Sequence, residues 1–228
     1  MKTYSIVLST YNKAWALPQV IDSILLQLTN DGELIIVDDG STDDTKEVCS
    51  SKLIRYVQLN DAMGRYRNPA IARNIGYRMA KGDVIIAQSD EVVHQGRTLI
   101  PLVEKLKVGQ FHIATVYDFY ATGKRGPLFT GIPGTRTLFF LGALWREDLY
   151  AIGGNDEEFK GPGREDVWFG ICLTRGLGLK PIYRDDIIGH HLHHKQIDPK
   201  DVALRENQKI FDRKMKEHRY IPFGCSWL

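Results

Sequence analysis

Cysteine is scarce and scattered in this chain. The three that occur, Cys49, Cys172 and Cys225, are odd in number and far apart. That excludes a disulfide framework or a paired-thiol metal site and points to a reducing compartment. No apolar run approaches the roughly 20 residues needed to cross a bilayer. The chain enters Tyr4-Ser5-Ile6-Val7-Leu8 at once, too short an apolar stretch for a secretory signal, so a cytoplasmic location is expected. Strong charge bias is also lacking. A net charge of +2 argues against a dedicated nucleic-acid binder, though not against a local basic face. Glycine is missing after the first predicted strand, so there is no G-x-G-x-x-G and a Rossmann dehydrogenase is disfavoured. No internal repeat or low-complexity tract is present.

What remains is an ordinary globular composition, 43% hydrophobic and 25% charged over 228 residues, enough for one compact domain with a real core. Strands alternate with helices through the first half, the pattern of βαβ units around a mostly parallel sheet. Strands are predicted at about Tyr4–Ser9, Glu33–Val37, Leu53–Leu59, Asp83–Ala87 and Phe111–Tyr117. Leu17, Ile21, Ile24, Leu25 and Leu28 recur at helical spacing. A second helix starts at Asn68-Pro69, with Ile71, Ile75 and Met79 expected on its inner face, and a third spans Arg97–Lys107. Residues 122–136, with four glycines and two prolines, read as a loop, as does Gly153 to Gly163. Ordered loops of this length are usually lids or binding loops. A last helix is predicted over Asp198–Arg219, with Val202, Ile210, Phe211 and Met215 toward the body.

Polar clusters punctuate this pattern at strand ends and in the loops. They are Ser9-Thr10-Tyr11-Asn12, Asp38-Asp39, Gln88-Ser89-Asp90-Glu91, and Glu165-Asp166 followed by His190-His191-Leu192-His193-His194. Ligands bind at the carboxyl ends of strands in open α/β sheets. Adjacent acids there carry desolvation and repulsion unless something pairs with them. The plainer reading of Asp38 or Asp39 is a cap on the next helix. Hard carboxylates and imidazoles without a thiol cluster suit Mg²⁺ or Mn²⁺ carrying phosphate oxygens.

In order, Ser5-Ile6-Val7-Leu8-Ser9-Thr10-Tyr11-Asn12, Val37-Asp38-Asp39-Gly40-Ser41, Ala72-Arg73-Asn74-Ile75-Gly76 with Ala80-Lys81-Gly82-Asp83, and Ile152-Gly153-Gly154-Asn155-Asp156-Glu157-Glu158-Phe159 through Gly163-Arg164-Glu165-Asp166 resemble the family 2 inverting glycosyltransferases. The resemblance runs over about residues 4 to 194. It implies the α/β GT-A fold: a Rossmann-like, mostly parallel nucleotide-binding sheet flanked by helices, with acceptor-side loops and a C-terminal helix. On this expectation residues 1–228 form one domain. Residues 1–95 are its nucleotide-binding half, 96–197 its acceptor-binding half and 198–228 a C-terminal helix and tail.

The resemblance also implies roles. Ser9, Thr10, Tyr11, Asp38, Asp39 and Arg73 would hold the nucleotide, with Tyr11 stacking on the base and an Asp accepting the uracil NH. An ordinary half-buried Tyr11 and a solvated Arg73 are the alternatives. The family's Asp-x-Asp motif is here Gln88-Ser89-Asp90, so the first acid is missing. Asp90 would keep the metal, Gln88 and Ser89 would stay on the nucleotide side, and Glu91 would help. A histidine completes the metal shell in many members; His191 is the first choice, His190 the next, with His193 and His194 nearby, and at least two of the four should be structural. Asp166, with Glu165 beside it, would be the general base, or the pair would simply cap the following helix.

The activity so implied is transfer from a nucleotide-diphospho-sugar, most readily a UDP-sugar, to an acceptor hydroxyl with Mn²⁺ or Mg²⁺. The acceptor class stays open among a glycan, a lipid-linked glycan, a protein or a modified nucleic-acid base. The rivals are a sugar-phosphate nucleotidyltransferase, which would want a glycine-rich loop after the first strand, and a non-catalytic binding module of the same fold. Lys209, Arg213, Lys214 and Lys216 on the last helix read as a solvated face or as a peripheral membrane contact.

Overall fold

The computed structural model describes residues 2–59, 68–130, 140–161, 163–194 and 200–220. The strands are β1 (Tyr4–Thr10), β2 (Gly32–Asp38), β3 (Ile54–Gln58), β4 (Val84–Ser89), β5 (Val92–Gln95), β6 (Gln110–Phe119), β7 (Arg125–Thr130), β8 (Leu141–Trp145) and β9 (Lys180–Leu192). The helices are α1 (Leu17–Leu25), α2 (Thr45–Val48), α3 (Pro69–Met79), α4 (Leu99–Glu104), α5 (Arg146–Ala151), α6 (Glu165–Ile171) and α7 (Lys200–Glu217). One sheet runs in the order β3-β2-β1-β4-β8-β6-β9-β5, with β7 paired to β6. The β3-β2-β1-β4 half is parallel. The other half mixes antiparallel pairs with the parallel β6–β9 ladder.

Alternation along the central strands builds two cores, one on each face of the sheet. Ile6, Leu8, Ile36 and Ile86 pack against α1 and α4. Val7, Ile35, Val37 and Ile85 face the other way, against Trp168 and Phe169 of α6 and Ile210, Phe211 and Met215 of α7. The α7 contacts agree with expectation for those three residues. Val202's side chain and the Asp198-Pro199 cap lie outside the described residues.

Two local expectations are corrected. The buried face of α3 is made by Ala70, Ala72, Asn74, Gly76 and Tyr77, while Ile71, Ile75 and Met79 are only half-buried. The helix lies so close to the sheet that a Cβ on Gly76 would come within 2.5 Å of Val7. Small residues therefore take the closest approach to the sheet, with Tyr77 buried beyond them, and Ile75 and Met79 pack against the core from the flanks. Residues 125–130, expected within a loop, form β7. Its glycine has a steric reason, because a Cβ at Gly126 would meet the Tyr120 ring at 2.8 Å. Pro127 is tolerated because β7 pairs with β6 on one side. Residues 131–136 lie outside the described residues.

Strand order reverses beside β1: the chain moves out to β2 and β3, then returns to β4 on the other side. The carboxyl ends of β1, β2 and β4 thus meet at the crevice where such sheets bind ligands. Thr10, Asp38 and Ser89 end those three strands.

Candidate active site

The crevice is held by turns with few degrees of freedom. Asn12, at φ 50°, donates its backbone N–H to Ser41 Oγ, and its Oδ1 accepts from the Thr42 N–H, each at 2.8 Å. The Asp39 N–H donates to the Thr10 carbonyl at 2.8 Å. Asp38 is fully buried. Its Oδ1 accepts from the Ser41 N–H at 2.7 Å and the Ser41 hydroxyl at 2.6 Å, and its Oδ2 accepts from the Tyr56 hydroxyl. One oxygen thus holds the turn and the other ties it to β3; neither caps the next helix, whose N-cap is Asp44. Asp39 is half-buried at the crevice, as are Ser9, Tyr11 and Ser89.

Gln88 is not where the nucleotide-side expectation put it. Its amide points into the core, donating to the Val92 carbonyl at 2.7 Å and accepting from His94 Nε2 at 2.8 Å. His94 continues to Thr98, whose backbone N–H reaches Gln27. Burial brings His94 down to about 4, so the ring is a neutral part of the core.

Next to it lies a concentrated polar centre. Glu91 is buried; its Oε2 takes His191 Nε2 at 3.1 Å, and its Oε1 takes His194 Nε2 at 2.8 Å together with the Lys13 ammonium. Burial alone would raise the Glu91 carboxyl, but His191 and Lys13 outweigh it and bring it down to about 2. Asp90 goes the other way. Burial first and the charge of Glu91 second push it up to about 6, against the pull of Lys13 and Arg73. Glu91, His191 and His194 offer ligand atoms all within 4.8 Å of one another.

The histidine run divides by strand alternation. His191 Nδ1 donates to Asp118 Oδ1 at 3.0 Å, and His193 Nδ1 reaches Asp118 Oδ2 at 2.7 Å. His190 turns away, stacked on Phe119 at 4.4 Å and 10°, with Arg125 beside it. His190 and His193 therefore stand outside the cluster that His191 and His194 enter, His190 because it occupies the opposite face of β9 and His193 because Asp118 holds it. Burial depresses His190; His191 is held above its ordinary value because its bonds to Glu91 and Asp118 outweigh burial.

One carboxylate and two imidazoles with no thiol could hold a divalent ion, and do not suit a soft one. The raised Asp90 beside a charged Glu91 is the repulsion that a bound cation would relieve. His191, facing carboxylates through both nitrogens, would have to lose its Nε2 proton to serve as a ligand.

A second carboxylate pair opens α6. Arg164, at φ 72°, sets the turn, and its guanidinium lies over the Phe211 ring. Glu165 is buried and accepts from the Gly163 N–H at 2.7 Å. Burial, then the charge of Asp166, pushes it up to about 7 against the pull of Arg73. Asp166 accepts from Arg73 at 3.0 Å, both side chains being largely enclosed. Arg73 thus pairs with one carboxylate site while its charge also acts on Asp90, in the other. The loop before α6 is tied down by buried amides. The Asn74 amide donates to the Asn155 carbonyl and to Glu157, and the Asn155 N–H returns to Asn74 Oδ1, each at 2.8 Å.

Three residues here escape sequence reasoning. Asp118 has a faint signal, an acid at the end of an apolar strand run; Lys13 has none; and Asn74 lies in the Ala72–Gly76 motif, which gave it no role. The basic helix face has a local explanation: Lys214 is buried against Asp156 and Glu158, Arg213 pairs with Glu158 and Glu217, and Lys209 pairs with Glu206. Among the described residues no helix is long and apolar enough to cross a membrane.

The site thus combines acids at the switch point of a mixed sheet, histidines beside them and a second acid pair at the start of α6. The glycosyl transferase family 2 model matches residues 5–160, and the chain belongs to that family. It is 30% identical over 132 residues to the glycosyltransferase GlyG of Streptococcus pneumoniae, covering 53% of this chain and 44% of that protein. The fold is GT-A. A structure of GalNAc-T7 with UDP, GalNAc and Mn²⁺ superposes with a TM-score of 0.71 at 17% identity, covering 96% of this chain and 50% of that one. The mannosyltransferase PcManGT of Pyrobaculum calidifontis, with GDP-Man and Mn²⁺, gives 0.66 at 18% identity, covering 86% of this chain and 58% of that one. The chain spans between 16% and 44% of the length of the first curated relatives it matches.

Proposed function

We propose that this protein is a metal-dependent inverting glycosyltransferase that moves a sugar from a nucleotide-diphospho-sugar, most readily a UDP-sugar, to an acceptor hydroxyl. The observation that carries the reading is the pair of carboxylate centres, one ringed by imidazoles at the strand ends and one at the start of α6, with Arg73 acting on both. Relatives named glycosyltransferases and structural neighbours holding UDP or GDP-Man with Mn²⁺ support it.

Asp39 and Tyr11 would hold the base, with Ser9, Thr10 and Ser89 beside the ribose and diphosphate. Asp90, Glu91, His191 and His194 would hold Mn²⁺ or Mg²⁺. When bound, the ion supplies Lewis-acid neutralisation of charge on the departing diphosphate. Asp166 takes the proton of the acceptor hydroxyl as its oxygen attacks the anomeric carbon. One C–O bond forms as the bond to the diphosphate breaks on the opposite side, which inverts that centre. Arg73 orients Asp166 through the 3.0 Å contact, and Glu165 fixes the turn through Gly163.

Thermal-shift screening of nucleotide-sugars with Mn²⁺, followed by donor hydrolysis with and without the ion, tests the reading. Stabilisation by UDP-sugars with Mn²⁺-dependent release of UDP is expected. Stabilisation without turnover on any donor would leave a binding module. Preference for GDP-sugars would keep the reaction class and replace the donor.

A further inference from the structure

Lys13 is absent from the roles assigned above, yet its ammonium sits on Glu91 Oε1, an oxygen that also takes His194 in the group of ligand atoms formed with His191. Its backbone leaves it little choice of direction. The Lys13 N–H donates to Thr45 Oγ1 at 3.1 Å, and its carbonyl accepts from the Ala16 and Leu17 N–H groups at 2.9 and 3.0 Å. Asn12, one residue earlier, is fixed by Ser41 and Thr42. The side chain passes the Trp15 ring, with Nζ 5.5 Å from its centroid, and is 19% exposed. Its anchored base and flexible four-carbon stem allow the head to leave without moving the loop.

Glu91 therefore already has a cation. Both of its oxygens are engaged, one by His191 and the other by His194 and Lys13. A divalent ion drawing on the same carboxylate would stand beside an ammonium of like charge, and at such separation in a partly enclosed site that repulsion is large.

We propose that Lys13 is a tethered counter-cation that occupies the Glu91 centre in the metal-free protein and is displaced when the divalent ion binds. This rests on the metal-dependent reading above. It gives the protein a stable acidic centre before loading and lowers its affinity for the ion, so that occupancy depends on the ion's concentration.

Two measurements on the full chain test it. Mn²⁺ affinity is read by calorimetry for the wild type, Lys13→Gln, Lys13→Arg and Glu91→Gln. Lys13→Gln is expected to bind Mn²⁺ on the order of tenfold more tightly than wild type, Lys13→Arg to stay near wild type, and Glu91→Gln to bind more weakly. Removing a positive charge could tighten binding through the general field alone, so the second measurement reads the lysine itself. The rate of Lys13 acylation, followed by mass spectrometry, is expected to rise severalfold at saturating Mn²⁺, because the ammonium has left its carboxylate. Equal Mn²⁺ affinity in wild type and Lys13→Gln, or an unchanged acylation rate, would overturn the proposal and leave the metal reading intact. Absence of Mn²⁺ binding in every folded variant would instead remove the metal reading, and the competition with it.

Discussion

The Asp90-Glu91 and Glu165-Asp166 pairs have the same arithmetic and opposite surroundings. In each, one carboxyl is pushed up, Asp90 to about 6 and Glu165 to about 7, first by burial and then by its neighbour's charge. In each, the other carboxylate touches a cation, Lys13 for Glu91 and Arg73 for Asp166. The difference lies in what else is present. Glu91 also meets His191 and His194, neutral-capable donors that can turn to a metal, whereas Asp166 has one guanidinium and no imidazole among its described contacts. Imidazoles make a centre suited to a bound cation. An acid held by a single orienting cation, beside a carboxyl that titrates near neutrality, suits proton transfer.

The largest expected effect falls on the proton-transfer side. Asp166→Asn keeps shape and hydrogen bonding but cannot take the acceptor's proton, so transfer should drop by about 10²-fold or more. UDP and Mn²⁺ affinities should stay near wild type. Steady-state rates with chemistry rate-limiting, alongside calorimetry, check both halves. Near-normal turnover would move the base to Glu165 or elsewhere, and equal losses in binding and turnover would make Asp166 structural.

On the cation side, Asp118→Asn should weaken Mn²⁺ by about 10- to 100-fold, the usual penalty for losing the carboxylate behind a ligand histidine. Asp118 holds His191 by Nδ1 and so aims Nε2 at Glu91. If Mn²⁺ affinity were untouched by this change, His191 would not be a ligand.

A smaller contrast separates Asp38 from Asp39. Loss of a hydrogen bond from the base to a charged acceptor costs about 1.5–3 kcal/mol, so Asp39→Ala should weaken UDP at least tenfold without unfolding the protein. Asp38→Ala should instead cost about 2 kcal/mol of stability, since Ser41 and Tyr56 lose their acceptor. Urea denaturation and UDP titration on both variants would reverse the assignment if the two effects were exchanged.

How much of this was legible depends on range in sequence. The apolar runs of β1, β2 and β4 ending in polar clusters are local patterns, and the strand ends they mark do meet at the switch point. Asp90, His191, His194 and Asp166 stand out because strand ends and loops rarely hold such residues together. Asp118 and Lys13 do not, since a single acid in a strand and a single lysine in a loop look like thousands of others. Their roles come from the β6–β9 register, which pairs Asp118 with His191, and from a contact spanning 78 residues. Gln88 misled because its position in the motif says nothing about rotamer; a buried His94 claims its amide. On α3, Ile75 and Met79 do pack against the core but stay half-buried, because apolar spacing does not reveal how closely Gly76 approaches Val7.

The smallest effect tests the raised member of the proton-transfer pair. Glu165 binds its proton more tightly in the folded protein than in the unfolded chain, where its value is 4.5. The folded state therefore holds more protons between about pH 4.5 and 7, and stability from this group is present at acid pH and lost as pH rises through about 7. His94 and His112, both brought down to about 4, act in the opposite sense: their neutral burial stabilises above about pH 6.5 and is lost on acidification. A raw pH profile mixes these, so the informative quantity is the difference between wild type and Glu165→Gln. Glutamine preserves the acceptor for the Gly163 N–H and removes the titration. Because Glu165 shares its site with Asp166 and Arg73, the variant should gain on the order of 1 kcal/mol on wild type between pH 5 and 8, measured by urea unfolding at each pH. A difference that stays flat would mean that Glu165 is already ionised in the folded protein, and the likeness between the two acid pairs would end there.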